Sequence, residues 1–115
     1  MENSAQSLSA RECVPCKSGG SPLPDNLIKE LLCRLSNEWI VENGRLRKTY
    51  RFKNFAQALA FTNKVGMLAE QQQHHPDIFL SWGKVTIELY THKIKGLHEN
   101  DFILAAKVDA LDMSV

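Results

Sequence analysis

The spacing of apolar residues along the chain predicts two amphipathic helices before any other feature is considered. Over residues 25–37, leucine and isoleucine recur at steps of one, three and four, which places them on one face of a helix. Over residues 54–73 the apolar positions fall within one broad arc, so this segment is predicted to be the longest helix. The members of that arc are Phe55, Ala58, Leu59, Phe61, Val65, Leu68 and Ala69.

Two further pairs of segments alternate between apolar and polar residues and predict two β-hairpins. Residues 39–42 and 45–52 flank Asn43-Gly44, the dipeptide that best tolerates the positive φ values of a type I′ turn. The second pair turns near Trp82-Gly83, and its return strand is the cleanest period-two pattern in the chain. The strand before that turn repeats an apolar residue at every second position: Ile78, Leu80 and Trp82.

A last helical pattern, over residues 99–111, is apolar almost all round. After its first turn its only charged residues are Lys107 and Asp109. So apolar a helix usually has two sides covered, and we expect an oligomer, a homodimer or homotetramer, to cover the rest of it. The order of the elements predicts an α+β fold: a four-stranded antiparallel sheet with helices packed on one face.

Length and composition bound the class of protein. The 115 residues have room for one domain, which we place at residues 24–115. Residues 1–23 carry no aromatic side chain and are interrupted by glycine and proline, so we expect a flexible N-terminal arm there. The sequence shows neither a secretory leader nor an apolar stretch long enough to cross a membrane. A cytoplasmic protein without membrane contact is therefore expected.

Charge argues against nucleic-acid binding. Fourteen Lys plus Arg against thirteen Asp plus Glu give a net charge of +1, too close to neutrality for the electrostatic footprint of a nucleic-acid binder. Arg45, Arg47 and Arg51 share one face of a predicted strand, but such a row is more often a solvated face. Cys13, Cys16 and Cys33 are an odd number of cysteines without a secretory signal, so reduced thiols are expected. The C-x-x-C spacing of the first two has no second pair at zinc-ribbon distance, so no metal is expected there.

Three of the four histidines bracket the second hairpin and are the candidates for chemistry. His74 and His75 lie at a helix end and His92 lies at a strand end, where exposed functional groups are common. Imidazoles can donate or accept a proton at neutral pH, so three at one cleft suit general acid-base catalysis. Two alternatives stay open: the histidines are surface or capping residues, or they form a zinc site with an open fourth position.

Two carboxylates could support these histidines. Glu70 precedes His74 by one helical turn, close enough to bond to its ring, although such pairs are common on helix surfaces. Asp101 lies in the first turn of the last helix, where a carboxylate stabilises the unpaired N–H groups. For Asp101 a structural role is favoured over a catalytic one.

The stretch 69–106 also carries three motifs in a fixed order. Ala-Glu is followed after three residues by His-His-Pro, then Thr-His ends the next strand, and G-L-x-x-x-D opens the last helix. Together these motifs resemble the pterin-4a-carbinolamine dehydratases, and the resemblance extends from Cys13 to the end of the chain. The family's fold is similar to the architecture predicted from periodicity.

The resemblance implies dehydration of 4a-hydroxytetrahydropterin to quinonoid dihydropterin, in recycling of the pterin after aromatic amino-acid hydroxylation, with no metal or organic cofactor. It implies an acid-base pair of His74 and His92 and a substrate-binding His75. It also implies a surrounding shell of substrate-binding or supporting residues: Glu70, Pro76, Thr91 and Asp101. An alternative carried by the family is a protein-binding module, a dimerisation cofactor of a transcription regulator that would use the last helix.

Two positions depart from the family pattern. Gln73 stands where Asp, Asn or Gly is frequent, and His98 stands where Thr or Ser usually caps the last helix. Replacing such a cap is expected to weaken the helix start by about 1 kcal/mol.

Overall fold

The computed structural model describes residues 8–13, 21–36 and 38–111, and within them the predicted order of elements and the α+β fold are confirmed. The helices are α1 (Asp25–Cys33), α2 (Phe55–Gln72) and α3 (Glu99–Asp109), and the strands are β1 (Ile40–Glu42), β2 (Arg45–Arg51), β3 (Asp77–Ser81) and β4 (Lys84–Leu89). Two short 3₁₀ helices cover Leu8–Ala10 and His92–Ile94. None of the described helices is long and apolar enough to cross a membrane.

The four strands form one antiparallel sheet in the order β1-β2-β4-β3. Asn43 and Gly44 have φ values of 53° and 74°, as a type I′ turn requires, so the first predicted hairpin is confirmed. The pairing of β2 with β4 at the centre buries alternate residues against the helices. The sheet residues and helix residues that meet there, all fully buried, are Leu46, Val85, Ile87, Leu89, Phe61, Val65, Phe102 and Leu104.

Three details of the sequence prediction were wrong. α1 ends at Cys33, because the chain turns after it and Leu35 reaches the core from that turn, which continues the leucine spacing beyond the helix. β3 ends at Ser81, one residue before the apolar alternation ends, and Trp82, which is 68% exposed, lies in the hairpin turn predicted at Trp82-Gly83. Phe55 and Leu59 are also exposed, since the buried side of α2 is narrower than the apolar arc.

The second side of α3 is covered by the N-terminal segment of the same chain. Leu8 is buried in the core cluster, and Lys107 Nζ donates to the Ser9 carbonyl oxygen at 3.0 Å. Oligomer formation stays a prediction, but the apolar side chains of α3 do not depend on it for burial. Flexibility of the arm likewise stays a prediction, since Cys16 and the other residues at 14–20 lie outside the described residues.

Residues just before α1 contact the loop that follows β4. Leu23 N donates to the Leu97 carbonyl oxygen at 2.9 Å. Pro22 lies so close to Gly96 that a Cβ built on the glycine would be 2.5 Å from Pro22 Cβ. Only glycine fits at this approach.

A buried ion pair joins the C-terminal end of α3 to the sheet. Asp109 accepts hydrogen bonds from Lys48 Nζ (2.7 Å), Tyr50 Oη (2.5 Å) and Trp39 Nε1 (2.8 Å). Lys48 is only 8% exposed, and its ammonium group also lies 4.5 Å from the centre of the Tyr50 ring. Burial alone would raise the pKa of Asp109, but the hydrogen bonds, the strongest from Lys48, hold that pKa below its usual value.

Asp109→Asn should lower the free energy of unfolding by about 2 kcal/mol at neutral pH, because the buried Lys48 loses its nearer ion partner and keeps only the exposed Glu38 at 3.7 Å. The pKa of Asp109 is lower in the folded state, so its contribution is complete above the unfolded-state value of about 4 and is lost as the pH falls through the folded-state value. Urea unfolding should therefore show the gap between wild type and variant shrinking as the pH is lowered below about 4.

The control for this comparison is Glu30→Gln, which removes an exposed carboxylate paired with Arg34 on α1. It should change stability by less than about 0.5 kcal/mol at every pH. A gap between wild type and Asp109→Asn that stayed constant with pH would contradict the account of the Asp109 carboxylate.

Candidate active site

A cleft of about 680 Å³ opens where α2 ends and where β4 passes into the loop before α3. It brings together the three histidines singled out by the sequence, together with residues from the N-terminal segment. Its described lining is Glu12, Cys13, Gln71, Gln72, Gln73, His74, His75, Tyr90, Thr91, His92, Lys93 and Asn100.

The end of α2 directs the two adjacent histidines to different partners. Gln73 is left-handed, with φ 55°, and the N–H groups of Gln73 and His74 donate to the carbonyls of Glu70 and Ala69. These two bonds form a Schellman motif, whose left-handed position favours glycine or asparagine. Gln73, which departs from the family pattern, therefore adopts a conformation that Gly or Asn would adopt more easily.

His74 is held by a buried carboxylate on α3. Its Nε2 lies 2.6 Å from Asp101 Oδ1, and its side chain is 12% exposed. Because a carboxylate can only accept, Nε2 carries a proton and donates, which leaves Nδ1 as the ring nitrogen available to a ligand. A carboxylate bonded to one nitrogen fixes the orientation of the ring and determines which nitrogen carries the proton.

Asp101 is a centre for three hydrogen bonds and is fully buried. Besides His74, it accepts from Thr91 Oγ1 at 2.8 Å and from His98 N at 2.9 Å. The hydrogen bond from His98 N is half of a capping box. Asp101 therefore caps the N-terminus of α3, as predicted, and also holds the His74 ring.

The expected weakening of the α3 cap is not what the structure shows. His98 Nδ1 accepts a hydrogen bond from Asn100 N at 3.0 Å, so the imidazole supplies the acceptor that Ser or Thr would otherwise supply. The sequence prediction missed this because a neutral histidine is an acceptor as well as a donor.

Glu70 pairs with His75, so the predicted contact between Glu70 and His74 was wrong. Glu70 Oε2 lies 2.5 Å from His75 Nε2, and both side chains are mostly exposed. The left-handed turn at Gln73 is the reason, since it sends His74 toward α3 and brings His75 back over the last turn of α2. The contact between His75 and Glu70 is therefore exposed to solvent, where an ion pair adds little to the free energy of unfolding.

His92 lies on the exposed side of the cleft, at the start of the 3₁₀ helix His92–Ile94. The centres of its ring and of the Tyr90 ring are 4.9 Å apart, in an edge-on arrangement. Thr91 between them is buried and bonds to Asp101, so it supports His74. Pro76 follows the histidine pair and is not among the described lining residues.

The contribution of the N-terminal segment, residues 8–13, to the cleft was not predicted from the sequence. Gln72 connects the two, because its Oε1 accepts from Cys13 N and its Nε2 donates to Glu12 Oε1, each at 2.9 Å. Burial raises the pKa of the Cys13 thiol to about 11, so the group is a neutral thiol at physiological pH. These contacts join residues about sixty positions apart, so no local sequence pattern predicts them.

A larger cavity, of about 870 Å³, lies beside β2 and the end of α3. Its buried ionisable groups, Lys48 and Asp109, already satisfy each other. The histidine cleft is the better candidate because its ionisable side chains face a common space. Within residues 8–13, 21–36 and 38–111, no group of three or more His, Cys, Asp or Glu side chains is placed to hold a metal ion.

Comparison with known proteins identifies relatives across most of the chain. The family model for pterin 4 alpha carbinolamine dehydratase matches residues 21–111. A protein of Rickettsia bellii that carries the name pterin-4-alpha-carbinolamine dehydratase is 54% identical over 106 residues, 91% of this chain and 94% of the relative. A relative of the same name from Rubrobacter xylanophilus is 50% identical, over 90% of this chain and 97% of its own length.

Solved structures agree with the fold. A transcriptional coactivator/pterin dehydratase from Brucella melitensis superposes with a TM-score of 0.73 at 28% identity, over 78% of this chain and 97% of its own. A pterin dehydratase-like protein described as a RuBisCO assembly factor in the alpha-carboxysome gives a TM-score of 0.56 at 28% identity, over 65% of this chain and 89% of its own. From the family match and these relatives, the chain belongs to the pterin-4-alpha-carbinolamine dehydratase family.

Proposed function

We propose that this protein dehydrates 4a-hydroxytetrahydropterin to quinonoid dihydropterin and water. The observation that carries the proposal is the placement of three histidines on one cleft, one of them held by a fully buried aspartate. Membership of the dehydratase family supports the substrate class.

The reaction needs two proton transfers and no redox change. The C4a–O bond breaks and the hydroxyl leaves as water after it is protonated, while the N5 proton passes to a base and its electron pair forms the C4a=N5 bond. Two imidazoles, one protonated and one neutral, supply both transfers near neutral pH. No other reactant is required.

His74 and His92 are proposed as that acid-base pair. His74 offers Nδ1 to the substrate while Asp101 holds its other nitrogen, so its ring is kept in one orientation toward the cleft. His92 approaches the cleft from the loop after β4, and His75 lies beside His74 with Glu70 as its partner. We assign His75 to binding of the pterin. Its only described partner is the exposed Glu70 carboxylate, which holds the ring weakly and leaves it free to turn toward a ligand.

We further propose that the protein works in the cytoplasm, in recycling of the tetrahydropterin. A homo-oligomer stays a prediction from the sequence, since the apolar side of α3 on which it rested is covered within the chain. The alternative, a dimerisation cofactor that uses the last helix, gains no support from α3. Its large apolar side chains from Phe102 to Val108 are buried within this chain and leave little surface for a partner.

The test is turnover of the carbinolamine by the purified chain. The substrate is generated in situ, and the rise in quinonoid dihydropterin is followed by ultraviolet absorbance against buffer and against an equal mass of serum albumin. We expect an acceleration over buffer of at least about a hundredfold, the range that positioned acid-base groups provide. Equal rates with this chain and with albumin would reject the proposed function.

A further inference from the structure

We propose that Tyr90 positions the His92 imidazole for proton transfer and that Arg45 holds Tyr90 in place. Tyr90 and Arg45 are then positioning residues for the reaction. The inference rests on the proposed function, because it takes His92 as one of the two proton carriers.

The pairing of β2 with β4 brings Arg45 and Tyr90 together. The register places Leu46 opposite Leu89, so the antiparallel pattern continued by one residue places Arg45 opposite Tyr90. Since both leucines face the core, their neighbours lie on the other face of the sheet. There the guanidinium carbon of Arg45 is 4.3 Å from the centre of the Tyr90 ring, within cation–π range.

The far end of the Arg45 side chain reaches a carboxylate on the strand beyond β4. Its Nη1 lies 3.9 Å from Asp77 Oδ2, at the start of β3, and β4 lies between β2 and β3 in the sheet. The arginine thus spans Tyr90 from its backbone on one strand to a carboxylate on another. The guanidinium therefore covers one face of the phenol ring, and the exposed Asp77 carboxylate adds only a weak attraction at its far end.

His92 depends on that ring for its orientation. The edge-on contact at 4.9 Å and 77° is a favourable aromatic arrangement. His74 and His75 each have a carboxylate partner, whereas no side chain of the described part of the chain hydrogen-bonds to the His92 ring. Because proton transfer requires a donor within hydrogen-bond reach, a freely rotating His92 would lower kcat more than it would alter substrate binding.

The first experiment compares Tyr90→Leu, Tyr90→Phe and Arg45→Met in the dehydratase assay, with Arg47→Met as the control. Tyr90→Leu should lower kcat about tenfold with KM changed less than about twofold. Tyr90→Phe should keep the wild-type kcat, because it retains the ring that contacts His92. Arg45→Met should lower kcat about threefold and should add nothing in the Tyr90→Leu background. Arg47 pairs with Glu42 and Glu88, so its replacement should leave kcat unchanged.

The second experiment reads the contact without turnover. The ring-proton NMR resonances of His92, assigned by comparison with His92→Asn, should carry the ring-current shift of Tyr90. That shift should disappear in Tyr90→Leu, persist in Tyr90→Phe and decrease in Arg45→Met, a mild surface change that should fold.

Failure of the inference and failure of the proposed function look different. An active wild-type protein whose kcat or His92 resonances are unchanged in both Tyr90→Leu and Arg45→Met would overturn the positioning role. An inactive wild-type protein would overturn the proposed function, and the role of the contact in catalysis with it.

Discussion

Replacing His74 and His92 together by alanine should return carbinolamine dehydration to the rate in buffer. Each proposed proton carrier is worth about a hundredfold or more when it is correctly placed, and no described cleft residue offers a second imidazole pair. Each single variant should lose most of the acceleration, since protonation of the hydroxyl and removal of the N5 proton are parts of one reaction. The measurement is kcat with the carbinolamine, followed by absorbance.

The fourth histidine provides a matched control for this prediction. His98→Asn keeps both the cap acceptor and the backbone N–H that bonds to Asp101, so activity should stay within about twofold of wild type. If the His74/His92 double variant retained the wild-type rate while folded, the acid-base assignment would be wrong.

Removing the Asp101 carboxylate should damage both stability and activity. Asp101→Ala leaves the donors of His74, Thr91 and His98 without their acceptor in a fully buried site and removes half of the α3 capping box. We expect the free energy of unfolding to fall by about 3–4 kcal/mol, since each unsatisfied buried donor costs about 1–3 kcal/mol. Urea unfolding measures this loss.

Activity separates a brace for His74 from a simple structural role. At temperatures where Asp101→Ala is folded, kcat should be about tenfold or more below wild type, with an altered pH profile, because His74 loses its orienting carboxylate. Asp109→Asn, at the other end of the same helix, should be destabilised without change in kcat. Equal effects of the two variants on kcat would assign Asp101 to folding alone.

The fold could be predicted closely because it depends on local patterns. The alternation along β4 and the Asn43-Gly44 turn each determine their own stretch of chain, and both were read correctly. The end of α1 could not be predicted, because Leu35 continues the helical spacing of buried leucines although it lies in the turn after the helix. Periodicity reports burial, and burial does not distinguish a helix from the turn that follows it.

The approach of the three histidines to one cleft was predictable, but their pairing and the cleft residues from the N-terminal segment were not. The clustering of the histidines followed from the order of the elements. The exchange of partners between His74 and His75 followed from one left-handed residue, Gln73, whose backbone conformation is not evident from its side chain. The contact of Arg45 with Tyr90 depends on strand register, which sequence alone leaves open.

The close approach of Pro22 to Gly96 has a consequence for where the chain can be shortened. A version trimmed to begin at residue 24, the boundary suggested by composition, would lose that proline, the bond from Leu23 to Leu97 and the buried Leu8. The loop after β4, which carries His92, would then lose its contacts with Pro22 and Leu23. The residues ahead of the first helix thus serve as scaffolding for a site encoded some seventy positions later.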